Sequence, residues 1–184
     1  MKFHTSSLRL HDLLSGMRAD LTAALIRRLR AANADHYRLM AEPELRERIE
    51  TLYGFFLRAV AARPAIFAKY LEGIALSRIS EGVALREIQI ILQILEDLAW
   101  QAVIERLPLE EQVSCLGLVT ATIGAAKDQL AQTYLEYLER TELEAARLQH
   151  RLDELAKGTD CGPLDDEDLP RPTTGPRRSR PYAS

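Results

Sequence analysis

The chain has 184 residues, 47% of them hydrophobic and 28% charged, and its formal net charge is −3 at pH 7. This composition is that of a globular domain, so it argues against a wholly disordered chain and against a membrane protein. Charges of both signs are spread along every predicted helix, which argues against nonspecific binding of nucleic acid. The first residues lack the apolar stretch of a secretory signal, so we expect a cytoplasmic protein.

An all-α fold is predicted, because apolar residues recur at spacings of three and four from Leu8 to Leu155. The first helix is expected over about residues 7–32, and Asn33 and Asp35 then favour a turn. The apolar face of this helix consists of Leu10, Leu13, Leu14, Met17, Leu21, Leu25 and Leu29.

Three more helices are predicted before residue 108. Pro43 is typical of the first turn of a helix, and Pro64 marks the start of the helix that follows. Gly82 is expected to end that third helix, because glycine readily adopts the left-handed conformation of a helix C-terminus. The fourth helix begins near Leu85 and is predicted to be the centre of the core. Its apolar face consists of Ile88, Ile91, Leu92, Leu95, Leu98, Ala99, Val103 and Ile104.

Pro108 opens a fifth and last helix, which is predicted over residues 108–157. At 1.5 Å per residue this helix is roughly 75 Å long, so we expect its second half to project from the bundle as a coiled coil. That half carries residues at alternating spacings of four and three, which we call the heptad seam. The heptad seam consists of Tyr134, Leu138, Thr141, Ala145, Leu148, Leu152 and Leu155. It predicts a homodimer; the alternative is a single long helix whose end frays.

The predicted domain organisation is one helical domain over residues 1–157, followed by a disordered tail over residues 158–184. The tail holds five prolines, which oppose helix formation, and its composition offers little to bury in a core. Residues 160–168 are acidic, whereas residues 171–180 are basic and rich in proline. We expect this tail to be solvated.

The sequence holds no recognisable catalytic motif, so we expect a protein that is not an enzyme. Its histidines are His4, His11, His36 and His150, none of which lies in the stretch that supplies most of the core. An axial ligand for haem is therefore missing there. Cys115 and Cys161 lie far apart and lack the spacing of a zinc site. We predict no metal and no cofactor.

Aromatic residues are concentrated on the helices that are expected to meet centrally, where they are candidates for the lining of an apolar pocket. The five candidates are Tyr53, Phe56, Phe67, Tyr70 and Trp100. At helical spacing an aromatic stripe is more often plain core, so these residues are either the lining of a pocket or ordinary core residues.

A short motif spans residues 78–88 and reads Arg-Ile-Ser-Glu-Gly-Val-Ala-Leu-Arg-Glu-Ile. It follows a predicted helix with Tyr70 and precedes one with Leu95 and Trp100. This stretch resembles the N-terminal sensor domain of RsbR-type stressosome co-antagonists and similar domains in bacterial sensor kinases. The resemblance covers roughly residues 45–155.

This resemblance implies a globin-like helical bundle without haem, which is dimeric and passes a signal along its exit helices to an output domain. Such relatives carry a phosphorylatable STAS domain after the sensor, whereas this sequence continues only with residues 158–184. We therefore expect either that output occurs through a separate protein partner or that this chain competes with full-length relatives.

The leading hypothesis is a non-enzymatic bacterial signalling or sensor module of the stress response, whose homodimer relays or scaffolds a signal through its C-terminal helix. The alternative is a helical protein that binds a small molecule or cofactor in the aromatic pocket. A third hypothesis is a structural adaptor whose exposed coil recruits a partner.

Overall fold

The computed structural model describes the backbone of residues 2–158 and the side chains of residues 5–157. Within this range the chain is helical and holds no strand, which confirms the all-α prediction. The helices are α1 (Lys2–Gly16), α2 (Arg18–Ala31), α3 (Asp35–Leu39), α4 (Glu42–Ala61), α5 (Ala65–Ser80), α6 (Leu85–Arg106) and α7 (Leu109–Gly158). Apart from Gly158, which ends α7, the predicted tail lies outside the described residues, and so does Cys161.

Seven helices therefore occupy the described range, where five were predicted. The predicted first helix is interrupted at Met17 and becomes α1 and α2. Just before the break, the buried Tyr53 hydroxyl donates a hydrogen bond of 2.8 Å to the backbone oxygen of Leu14. A side chain that enters the hydrogen-bond ladder of a helix is a common cause of such breaks. The short α3 is the other addition, in the segment that the sequence assigned to a turn.

The first six helices enclose a single apolar core to which α7 also contributes. Helices α1 and α2 pack against both α4 and α6, and α4 also packs against α5. The predicted face of α6 is buried from Ile88 to Val103, as expected for the central helix, but Ile104 is exposed. Within residues 2–158 no helix is long and apolar enough to cross a membrane.

The turn between α5 and α6 forms as the sequence predicted. Gly82 has a φ of 77°, in the left-handed region that favours glycine. Its N–H donates to the oxygen of Ile79 at 3.0 Å, and the N–H of Val83 donates to the oxygen of Arg78 at 2.9 Å. This pair of bonds is the Schellman arrangement, which satisfies the last carbonyl groups of α5.

Two compact units divide the chain, residues 1–141 and residues 142–184, and α7 contributes to both. In the first unit α7 buries one stripe in the core, which consists of Cys115, Val119, Ile123, Ala126 and Leu130. In the second unit every side chain from Glu142 to Lys157 is exposed. The apolar side chains of this second segment are therefore exposed among the residues that the structure describes.

Candidate functional site

None of the heptad-seam residues is fully buried, either in the first unit, which holds Tyr134, Leu138 and Thr141, or in the second, which holds Ala145, Leu148, Leu152 and Leu155. The exposed fractions are 52% for Leu138, 59% for Leu148, 60% for Leu152 and 67% for Leu155. Ala145 is also exposed, and Thr141 is half-buried. Scattered single leucines at a surface need no explanation, but leucines at heptad spacing on one helix are typical of an interface between helices.

Tyr134, the first residue of the heptad seam, is held by the rest of the first unit. It is half-buried, and its hydroxyl donates a hydrogen bond of 2.9 Å to the backbone oxygen of Val83. Val83 belongs to the turn between α5 and α6. The seam therefore begins at a residue that is hydrogen-bonded to the motif of residues 78–88.

A carboxylate within that motif accepts several of the hydrogen bonds that hold the turn in place. Glu81 accepts hydrogen bonds from Arg78 at 2.8 Å, from Arg48 of α4 at 3.0 Å and from the Ser77 hydroxyl at 3.1 Å. Partial burial alone would raise the pKa of Glu81, but the hydrogen bonds from Arg48, Arg78 and Ser77 outweigh it and lower the pKa to about 2. Glu81 is therefore ionised at neutral pH and ties α5 to α4.

A second acidic residue of the motif reaches α3. The side chain of Glu87 accepts a hydrogen bond of 3.0 Å from the backbone N–H of His36, in the first turn of α3. An acidic group at this position satisfies a free N–H and interacts favourably with the helix dipole. We call Arg48, Arg78, Glu81, Glu87 and Tyr134 the turn cluster, because together they join the α5–α6 turn to three other helices.

Four of the five predicted pocket residues lie together in the core. Tyr53, Phe56 and Phe67 are fully buried, and Tyr70 is half-buried. Their ring centroids form a chain, with separations of 6.1 Å between Tyr53 and Phe56, 5.8 Å between Phe56 and Phe67, and 6.3 Å between Phe67 and Tyr70. Phe55 extends the group, since its ring stacks on Tyr70 at 4.0 Å.

Trp100, the fifth predicted pocket residue, is separate from the others and lies 39% exposed on the outer side of α6. The reason is the helical period, because the buried residues of α6 include Leu95, Leu98 and Ala102, and Trp100 falls on the opposite side of this stripe. Its assignment to a central pocket is corrected accordingly.

The space beside the aromatic group is small. A cavity of about 20 Å³ is lined by Tyr37, Tyr70, Arg48, Arg78 and neighbouring aliphatic side chains. This volume suits about one water molecule. Burial raises the pKa of Tyr37 to about 12, so its phenol stays neutral at physiological pH. The rings of the aromatic group are therefore packed against one another, as in an ordinary core, with this small cavity beside them.

An open groove on another surface has no counterpart in the sequence predictions. It has a volume of about 770 Å³ and lies between α4 and the α1–α2 pair, with His11, Arg18, Arg46, Glu50 and Arg58 among its lining residues. Charged side chains of both signs line this groove. The side chains of Arg18 and Arg58 each donate a hydrogen bond to a backbone oxygen of α4. Positive and negative side chains therefore nearly balance in the groove, and its net charge does not indicate a class of ligand.

Within the part of the chain that the structure describes, no group of three or more His, Cys, Asp or Glu side chains is arranged to hold a metal ion. Comparisons with protein-family models, with curated proteins and with solved structures find no match to this chain. The heptad seam and the turn cluster are therefore the features of this chain that bear on its function.

Proposed function

We propose that this chain is a non-enzymatic bacterial signalling or sensor module, which dimerises in the cytoplasm and relays or scaffolds a signal through α7. The observation that carries this proposal is the exposure of every side chain from Glu142 to Lys157, with Leu148, Leu152 and Leu155 at heptad spacing. A helix with this pattern is stabilised by a second helix that covers the leucines.

The energetics favour a dimer that also uses other surfaces. Burying the exposed part of one such leucine contributes on the order of 1 kcal/mol. Three leucines from each of two chains then contribute on the order of 6 kcal/mol, whereas association costs at least about 4 kcal/mol in lost freedom of motion. Leu148, Leu152 and Leu155 alone therefore give a marginal dimer, and we propose that the first unit contributes to it.

The turn cluster supplies a physical route for a signal. Glu81 ties the turn to α4, Glu87 ties it to α3, and Val83 accepts the hydrogen bond of Tyr134. A ligand or partner that changes the turn would also change the support of α7 where the heptad seam begins. The resemblance of residues 78–88 to RsbR-type sensor domains supports the same role in the stress response, with a globin-like bundle and a separate protein partner for output.

The alternative function, a small-molecule or cofactor site among the aromatic residues, requires the core to open. Its rings are in mutual contact, and the adjoining cavity suits only about one water molecule. Visible absorption of the purified protein tests this alternative, since a bound chromophore would favour it over the signalling module.

The signalling proposal is tested by the mass of the protein in solution and by a seam variant. Light scattering at micromolar concentration should give twice the chain mass of 20.8 kDa. In Leu148→Asp/Leu152→Asp the introduced carboxylates would face their symmetry mates, so the dimer should weaken at least tenfold while the thermal melt stays unchanged.

A matched control is Ala146→Asp/His150→Asp, which places two acidic residues at the same spacing on the opposite side of the same exposed segment. This variant should dimerise like the original protein. Equal dimer constants for all three proteins, or a monomer at every concentration, would contradict the role of the seam and favour a single frayed helix.

A further inference from the structure

The cavity of about 20 Å³ in the first unit is lined by two kinds of side chain. Arg48 and Arg78 line it together with Tyr37 and Tyr70. The other lining residues are aliphatic and consist of Ile49, Leu52, Ile74, Ile88, Ile91 and Leu92. An apolar pocket on which a few polar groups converge is typical of a site for a small molecule.

The two arginines bind the same carboxylate, and Arg78 has hydrogen-bond donors left over. Arg48 donates to Glu81 at 3.0 Å, and Arg78 donates to both Glu81 oxygens at 2.8 Å. Both contacts of Arg78 come from Nη1, and its Nε and Nη2 atoms donate to no acceptor among the described residues. The Arg78 side chain is only 14% exposed. More than half of the N–H donors of this nearly buried guanidinium group therefore lack a protein acceptor.

Two phenol groups near these arginines also lack a hydrogen-bond partner. Tyr37 is 4% exposed, yet neither its hydroxyl nor that of Tyr70 is hydrogen-bonded within the part of the chain that the structure describes. Burial raises the pKa of both phenols, and the charges of Arg78 and Arg48 oppose this rise. Both hydroxyls therefore lie near the same two guanidinium groups. Because a buried polar group normally has a partner, these donors point to an acceptor from outside the chain.

Glu81 is placed so that it can exchange with such an acceptor. Its side chain is 31% exposed, and it directly follows the last residue of α5 and precedes Gly82. Glu81 is not among the residues that line the cavity. On leaving the arginines its carboxylate would be hydrated, and a second carboxylate in its place would keep Arg48 and Arg78 paired. The exchange thus leaves no buried charge without a partner.

We infer that Arg48, Arg78 and Tyr37 bind a small monocarboxylate of about the size of acetate, which replaces the Glu81 carboxylate and places its methyl group in the cavity. The inference rests on the proposed function and names the class of ligand that the sensor module detects. A guanidinium group matches a carboxylate in shape and charge. A methyl group is close in size to the single water molecule that the cavity suits.

The aliphatic lining selects a carboxylate with a short tail. Phosphate has oxygen atoms on every side, so at least one would lose its hydration against aliphatic side chains that offer no donor. The tail of butyrate needs more room than a cavity of about 20 Å³ provides.

Exchange of the carboxylates would act on the turn cluster. Glu81 ties the α5–α6 turn to α4, and Val83 of the same turn accepts the hydrogen bond of Tyr134 on α7. Release of Glu81 would therefore change the support of α7. A tethered carboxylate competes at an effective concentration of roughly millimolar, so acetate should bind in the same roughly millimolar range.

The test is a titration of the full chain with sodium acetate, in which sodium chloride keeps the ionic strength constant. The amide NMR signals of Gly82 and Val83 should shift and reach saturation. Glu81→Gln removes the competing charge and should bind acetate at least fivefold more tightly. Glu72→Gln, an exposed position of α5, should change the affinity less than twofold. Signals that do not saturate, or weaker binding by Glu81→Gln, would overturn the inference.

Tyr37→Phe separates a role in binding from a role in the fold. The Tyr37 hydroxyl has no partner in the described residues, so its removal should not lower the melting temperature. The affinity for acetate should fall at least threefold. Tyr53→Phe is the matched control, because its buried hydroxyl bonds to Leu14 and the residue does not line the cavity. Equal affinities in these two variants, or tighter binding of phosphate or butyrate than of acetate, would contradict the proposed site.

The seam variant keeps this inference distinguishable from the proposed function. If acetate does not bind while Leu148→Asp/Leu152→Asp weakens a dimer, the carboxylate site is wrong and the signalling module stands. If acetate binds as expected but the original protein is monomeric at every concentration, the site stands and the proposed relay through α7 fails.

Discussion

Replacement of Glu81 by glutamine tests the turn cluster directly. Glutamine keeps the size of the side chain but removes its charge, so Arg48 and Arg78 lose their shared anionic partner. Because the pKa of Glu81 is lowered from 4.5 to about 2, the ionised form stabilises the folded state. A shift of this size corresponds to about 3 kcal/mol. The side chain is 31% exposed, so screening by water reduces the expected contribution to about 1–2 kcal/mol.

The sign of the pH dependence follows from a pKa that is lowered on folding. The contribution of Glu81 is fully present above its unfolded pKa of 4.5 and is lost as the pH falls towards about 2. Urea unfolding of Glu81→Gln should therefore show a loss of about 1–2 kcal/mol at pH 7. The difference from the original protein should shrink steadily between pH 4.5 and pH 3.

The control for this experiment is Glu72→Gln, because Glu72 is an exposed residue of α5, the helix that Glu81 follows. It should change the free energy of unfolding by less than about 0.5 kcal/mol at any pH. A loss in Glu81→Gln that is the same at pH 7 and pH 3 would refute the electrostatic explanation. A loss no larger than that of the control would show that the turn is held by its backbone bonds alone.

Two further predictions concern the core and the chain end. Tyr53→Phe removes the hydroxyl that bonds to Leu14 and should lower the free energy of unfolding by about 1–2 kcal/mol in urea titrations, whereas no loss would mean that water replaces the hydroxyl. Removal of residues 159–184 should leave the melting temperature of the helical part within about 2 °C, and a larger fall would show that this segment packs on the domain.

The sequence by itself determined the features that depend on neighbours along the chain. The apolar face of α6, from Ile88 to Val103, is buried as its spacing predicts, because a helix places residues three and four apart on one face. Gly82 ends α5 for an equally local reason, the left-handed conformation that glycine adopts readily. The spacing of the heptad seam was also visible in the sequence, although its partner is a proposal.

Only the tertiary structure decided the features that join distant residues. The break at Met17 lies beside the hydroxyl of Tyr53, and the ion pair between Arg48 and Glu81 spans 33 positions of sequence. Trp100 was predicted among the aromatic residues because its helix was expected to lie centrally, but it falls on the side of α6 opposite the buried stripe and is exposed. Periodicity shows which side of a helix is apolar, whereas only the packing of helices decides which distant side chains meet and which apolar residues stay exposed.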